Sequence, residues 1–431
     1  MLRSRKWGQL QLACEDKLKH VLPAALLLVG GLEIVRVGPE TALWAGPSIL
    51  LAAMLIAWAA ESAQFFIAQG FALAILAWLQ TLPEFAVEFV LAWKQQVPLL
   101  IANLTGSLRL LTGLGWPMIY FVAAFFCRRA HGKPLRRIKL ADQQCVEVVG
   151  LFVPLVYAVV IWWKGSLNLL DAAILVGIYA GYLRVLGKMP PEEAEGIEDL
   201  ERIPQSIVKA PRRVRIAAIA GLFVGGGLLI YFTAEPFLGS LLAISAVLGV
   251  PAFVFVQWVA PFVSEFPEKV SAFYWARTVT KAPMALMNMV SSNINQWTLL
   301  AAMLPIVFSI SRGAPSVIVF DQHQELELLM TIAQSGVGML FLMNMELAWW
   351  EASTLFSLWG LQFVFSPLRP GPGFWGYVAS HMHWWVTLAY LVWIALGLVR
   401  MLLGQRQLNA FPLFAQMWQR HVRPAKAPAV K

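Results

Sequence analysis

The chain has 431 residues, 59% of them apolar and only 13% charged, with 26 Phe and 19 Trp. Soluble globular chains are roughly 45–50% apolar and about 25% charged, so a soluble enzyme, a disordered regulator and a coiled coil are excluded and a polytopic membrane protein remains. The formal charge is +9, but where the bases lie says more than their sum.

In chain order, apolar runs fall at about 21–37, 43–60, 66–93, 98–127, 146–163, 168–187, 215–235, 251–276, 284–310, 326–345, 348–366 and 375–403. A helix needs about 20 apolar residues to cross a bilayer. None of these runs alternates as a barrel strand would, so they predict about twelve transmembrane helices in an all-α polytopic protein. The opening MLRSRKWGQLQLACEDKLKH carries both signs of charge, and no A-x-A-like site follows the first run, so no removable leader is expected. With both termini in the cytoplasm, 26 of the 33 Lys and Arg residues fall on the cytoplasmic side and 5 on the outer side, while Arg109 and Lys269 lie inside spans. This bias is what sets orientation in a cell membrane. It makes the positive charge a topology signal and leaves nucleic acid without support as a partner. The oligomeric state is not encoded in any motif. Cys14, Cys127 and Cys145 have no metal-ligand spacing, and no nucleotide, cofactor or protease motif occurs.

The polar stretch Lys188–Val214, rich in Pro, Glu and Arg, reads as a cytoplasmic linker between two halves that resemble each other. ALAILAWLQTLPEFAVEF (Ala72–Phe89) precedes PLLIANLTGSLRLLTGLG, and AFVFVQWVAPFVSEFPEKV (Ala252–Val270) precedes APMALMNMVSSNINQWTLL. Each half sets Pro-Glu inside an apolar run and N-x-x-x-S in the next, at Asn103…Ser107 and Asn288…Ser292. Asp171 and Glu351 match more loosely. By the charge count the first Pro-Glu span runs outward and the second inward. The expected layout is an extra helix in 1–42, a first repeat in 43–187, the linker 188–214, an inverted second repeat in 215–366, and an extra helix with a tail in 367–431. Inverted repeats with interrupted helices are an architecture of secondary transporters.

Carboxylates at membrane depth are functional candidates by default. Helical spacing puts Gln80, Thr81, Glu84 and Glu88 on one stripe, and Ser264, Glu265 and Glu268 on another. Pro83 and Pro267 each free a carbonyl one turn back. Asn103 with Ser107, and Asn288 with Ser292 and Gln296, add neutral oxygens. Such an oxygen-rich centre suits a hard cation such as Ca2+. Lys269, four residues past Glu265, is placed to pair with it. Arg109 faces away from Ser107, and a buried ion pair with Glu88, Asp171 or Glu61 is expected. An alternative is a tethered cation that fills part of the site. His381 and His383 do not share a helix face, which argues against a metal site there.

These residues resemble the cation/Ca2+ antiporter superfamily, whose two inverted repeats carry G-T-S-x-P-E-like and G-N-x-x-G-S-N-like motifs. The resemblance spans roughly residues 43–366. It rests on QTLPE (Gln80–Glu84), ANLTGS (Ala102–Ser107), SEFPE (Ser264–Glu268) and MNMVSSN (Met287–Asn293). It implies Glu84 and Glu268 as central Ca2+ ligands, with Thr81, Ser107, Ser264 and Ser292 helping to hold Na+ or Ca2+. It implies antiport of Ca2+ or a related cation against Na+ or H+, without a cofactor. The sequence departs from the pattern at Leu111, where a polar side chain is usual, at Gln296, at Glu265, and in the glycines missing before Gln80, Asn103 and Asn288. These departures keep open a transport-inactive homologue that retains the fold for binding or scaffolding.

Overall fold

The computed structural model describes residues 37–66, 77–189, 197, 200–368 and 370–422. The N-terminal tail and nearly all of the expected first span therefore lie outside the described residues, as does 67–76 within the third. Eight helices among the described residues are long and apolar enough to cross a membrane, and the chain is a multi-pass, all-α membrane protein. Helix α1 is Ala42–Ala63. Helix α2 (Leu82–Trp93) is followed by α3 (Val97–Leu110), a π-helical turn at Leu111–Gly115, and α4 (Trp116–His131). Strand β1 (Arg137–Lys139), α5 (Cys145–Lys164), β2 (Ser166–Leu167) and α6 (Leu169–Leu186) complete the first half.

The linker is more structured than its composition suggests. It holds a short amphipathic helix, α7 (Arg202–Lys209), and is tied to α1 by the Trp58 indole, which donates to Glu201 at 2.8 Å. Helix α8 (Arg212–Leu248) is 37 residues long, about 55 Å at ~1.5 Å per residue, so it outreaches the expected span 215–235 at its C-terminal end. The second half continues with α9 (Ala252–Val254), a π-helical turn at Phe255–Val259, α10 (Ala260–Ser264), α11 (Phe266–Arg277), α12 (Ala282–Asn295), a π-helical turn at Gln296–Leu300 and α13 (Ala301–Arg312). Strand β3 (Ile318–Val319), α14 (Gln322–Leu342), β4 (Glu346–Ala348) and α15 (Trp349–Phe365) follow, then α16 (Phe374–Leu402) and α17 (Ala410–Met417).

The two halves match in local detail. Helices α2 and α11 are both 12 residues long, α3 and α12 both 14, and the π-helical turn after each has 5. Between the members of each pair one non-glycine residue takes positive φ, Gln95 at 58° and Val279 at 21°. Such backbone is uncommon, and for a β-branched valine it is strained. Pro98 and Pro283 are each the second residue of the following helix, in the first turn, where the missing N–H has no partner within the helix. Asp171 and Glu351, loosely matched in sequence, do the same work. Each is the third residue of its helix and accepts from the backbone N–H just before it, at 2.7 Å (Asn168) and 2.9 Å (Ala348). Each is also held by a cation, Lys164 and Arg406 respectively.

Two short antiparallel sheets fix direction. Strand β1 pairs with β4, and β2 with β3. Helix α5 runs from β1 to β2 and α14 from β3 to β4, so each of these neighbouring helices ends where the other begins. These two helices, which correspond in order, therefore run oppositely.

Candidate functional site

Proline cannot donate to the preceding turn, and the helical run breaks just ahead of Pro83 and Pro267, at Thr81 and Glu265. Each break leaves a glutamate in the first turn of the next helix, Glu84 on α2 and Glu268 on α11. These helices, with α3, α12 and the residues at their ends, carry the sequence-derived candidates other than Ser264. All thirteen are buried, none more than 3% exposed. Glu84 and Glu265 accept from the same Gln296 amide, and Glu268 accepts from Ser292, one turn before Gln296. Ser107 lies beside Glu84, although its hydroxyl closes no hydrogen bond.

The amides knit the two halves together. The Gln296 amide nitrogen donates to Glu84 Oε2 at 2.7 Å and to Glu265 Oε1 at 2.8 Å. Asn295 Nδ2 donates to Thr81 Oγ1 at 2.5 Å, and Thr81 Oγ1 donates to the Trp78 carbonyl at 2.9 Å. Asn288 Nδ2 donates to Gln80 Oε1 at 3.2 Å, and Asn103 Nδ2 to Glu88 Oε1 at 3.0 Å. Ser292 Oγ donates to Glu268 Oε1, while Ser264 Oγ turns back to the Pro261 carbonyl at 3.4 Å. Lys269 Nζ donates to Glu265 Oε2 at 2.6 Å, as the spacing predicted. Buried oxygens without a hydrogen bond remain on Glu84 (Oε1), Glu88 (Oε2), Glu268 (Oε2), Asn103, Asn288, Asn295, Gln296 and Ser107. The Gln80 amide nitrogen is unmatched as well, but unmatched buried acceptors are costly and these oxygens fit a hard cation. Among the described residues no three His, Cys, Asp or Glu side chains group closely enough to hold a metal alone. A cage here has to draw on amide and hydroxyl oxygens as well.

Arg109 corrects an expectation. It forms a buried ion pair, but with Glu327 of α14, at 2.5 Å. The expected partners are engaged elsewhere: Glu88 with Asn103, Asp171 with Lys164 and Tyr157, and Glu61 with Ser271 at 2.5 Å. Glu88 is therefore not Arg109's ion-pair partner. The reason is the one the helical wheel supplies: two residues past Ser107 the side chain leaves the centre, and there it meets α14 and the turn at 255–259. Gln257 Nε2 also donates to Glu327 at 2.6 Å, the Trp258 ring lies 5.3 Å from the guanidinium, and Gln334 caps the Arg109 carbonyl at 2.9 Å. His383 of α16 reaches the other Glu327 oxygen, with the His323 ring 5.8 Å away. His381 turns instead to the Tyr377 carbonyl at 2.9 Å.

Close backbone approach seats the turn at 255–259 on α3. A Cβ on Gly106 would stand 1.9 Å from the Gln257 carbonyl oxygen, so only glycine fits.

The family model of the sodium/calcium exchanger protein matches residues 43–187 and 218–367. The chain belongs to this exchanger family. A solved structure titled as the H+/Ca2+ exchanger CAX is 30% identical, with a TM-score of 0.79, covering 95% of this chain and 97% of that one. Native YfkE (16% identity, TM-score 0.57, 81% and 99% coverage) and the sodium-calcium exchanger NCX_Mj (17%, 0.52, 77% and 99%) share the fold. No curated protein matches the sequence. The family match ends before α16, so the helix that brings His383 to Glu327 lies outside it.

Sequence reasoning missed Asn295, Gln257 and Glu327. Asn295 was within reach, since it sits seven residues past Asn288 and so on the same helical face. Glu327 follows Glu325 in the opening turns of α14, where acids ordinarily complement the helix dipole, so nothing marked it as a buried partner.

Proposed function

We propose that the chain is a secondary antiporter that carries Ca2+ in exchange for H+ or Na+, by alternating access around Glu84 and Glu268. The observation that supports the reading is that Glu84 and Glu268, from opposite halves, accept from Gln296 and Ser292, residues one turn apart, and each keeps an unmatched buried oxygen. A carboxylate there needs positive charge beside it. Ca2+ supplies it in one direction and the counter-ion in the other. Two features favour the proton as counter-ion. Leu111 stands where the second half has Gln296, which removes one oxygen ligand that a further metal cation would use. The CAX structure, at 30% identity, is titled as an H+/Ca2+ exchanger.

In this reading residues 43–187 and 215–366 are inverted repeats. The matched helix lengths, the paired positive-φ turns and the opposed directions of α5 and α14 support that layout. Both termini face the cytoplasm of the cell, as the charge bias argues.

The test is uptake of isotopically labelled Ca2+ into proteoliposomes under an imposed pH or Na+ gradient. Uptake driven by one gradient and lost in both Glu84→Gln and Glu268→Gln is the expected result. Absence of gradient-driven uptake in the native protein would overturn the antiport reading and leave the transport-inactive alternative, which the bridging of Glu84 and Glu265 by Gln296 favours.

A further inference from the structure

Glu265 differs from the three carboxylates around it. Glu84, Glu88 and Glu268 each keep one buried oxygen without a hydrogen bond. Both Glu265 oxygens are engaged, Oε1 by the Gln296 amide at 2.8 Å and Oε2 by the Lys269 ammonium at 2.6 Å. The pair is shut away from water, with side chains 0% and 6% exposed. It is also local: Lys269 follows Glu265 by one helical turn across the break, so the same proline-induced kink positions both. The first half has nothing like it, since Thr81 and Phe85 occupy the corresponding places beside Pro83-Glu84.

We propose that Lys269 is a resident counter-cation which withdraws Glu265 from the ion-binding set and so fixes how many counter-ions are exchanged for each Ca2+. The inference rests on the antiport reading above. An ionised buried carboxylate is costly without a positive partner, and Glu265 already has one that cannot leave, because it is covalently part of α11. The exchangeable charge therefore falls to carboxylates with open oxygens, Glu84 and Glu268 above all. Arg109 does not take this role, being held by Glu327. Without Lys269, Glu265 Oε2 becomes an open oxygen close to Glu84. It then joins the carboxylates that Ca2+ and the counter-ion neutralise in turn, and one more monovalent cation returns per Ca2+ carried.

The experiment measures coupling ratio from the reversal potential of Ca2+ flux in proteoliposomes clamped with K+ and valinomycin. Four proteins are compared: native, Lys269→Arg, Lys269→Met, and Lys269→Met with Glu265→Gln. Lys269→Arg is expected to keep the native ratio, Lys269→Met to raise it by about one monovalent ion per Ca2+, and the double variant to return it to the native value. A native ratio in Lys269→Met, or a double variant that shares the single variant's ratio, overturns the proposal. Should Lys269→Met transport nothing, the double variant decides: recovered flux at the native ratio upholds charge compensation, and continued failure rejects it. No Ca2+ flux in the native protein would defeat the antiport reading itself, so the two failures are distinguishable.

Discussion

The two halves place the same backbone devices around the centre and fill them with different charge. In the first, α2 brings Glu84 and Glu88, both with an open oxygen, and Leu111 opens the π-helical turn after α3. In the second, α11 brings Glu268 beside the closed Glu265–Lys269 pair, and Gln296 stands where Leu111 does. The lengths of α2 and α11, of α3 and α12, and of the π-helical turns that follow agree to the residue, so the fold tolerates charge exchange so long as breaks, turns and helix faces are kept. The scaffold specifies where an ion can be met, and the individual side chains specify how much charge meets it.

The largest expected effect tests whether the halves contribute equally. Glu84→Gln and Glu268→Gln should each lower Ca2+ flux at least a hundredfold, since breaking a buried charge interaction costs about 3–5 kcal/mol and ~1.4 kcal/mol is tenfold. A variant that transports normally would make the centre one-sided. Next is Arg109, whose counterpart in the second half is Ile294. Arg109→Ala should lower unfolding stability in detergent by about 3–5 kcal/mol by stranding Glu327, and adding Glu327→Gln should recover part of the loss. Ile294→Val, a methyl removed from ordinary core, should cost only about 1 kcal/mol.

Gln296→Leu makes the two halves alike at that position. It removes two hydrogen bonds to carboxylates, at about 1.5–3 kcal/mol each, and the half-saturating Ca2+ concentration should shift by about tenfold or more. An unchanged value would detach Gln296 from the site. Smaller still are the packing differences. Gly106→Ala drives a methyl into the Gln257 carbonyl and should cost about 1–3 kcal/mol. Ser291→Ala, at the corresponding place, loses the 3.1 Å bond to Tyr182 and should cost about 1 kcal/mol. At the bottom, Arg137→Ala breaks the exposed pair with Glu346 that links β1 to β4. It should leave the melting temperature unchanged, because solvent-exposed pairs contribute little.

Much of this was legible in the sequence because the informative signals are local. Pro-Glu inside an apolar run predicts a broken helix with an acid at the break. N-x-x-x-S predicts one oxygen-bearing face, and i, i+4 spacing predicts Lys269 on Glu265. Choice of partner across the chain was not legible. Arg109 had several buried acids to choose from, and the one it meets lies 218 residues away, selected by how α14 packs on α3. The π-helical turns were equally hidden, since LTGLG and QWTLL carry no proline and no shared pattern. The linker helix α7 was masked by charge and proline around a short amphipathic core.

The hold of α16 on Glu327 bears on assembly. Helices α3 and α14 both precede α16 in the chain, and without α16 Glu327 would keep Arg109 and Gln257 but not His383. The second Glu327 oxygen is covered only when the final described span arrives. A chain that lacked α16 would therefore carry the Arg109–Glu327 pair with one carboxylate oxygen uncovered, and this corner should pack less firmly.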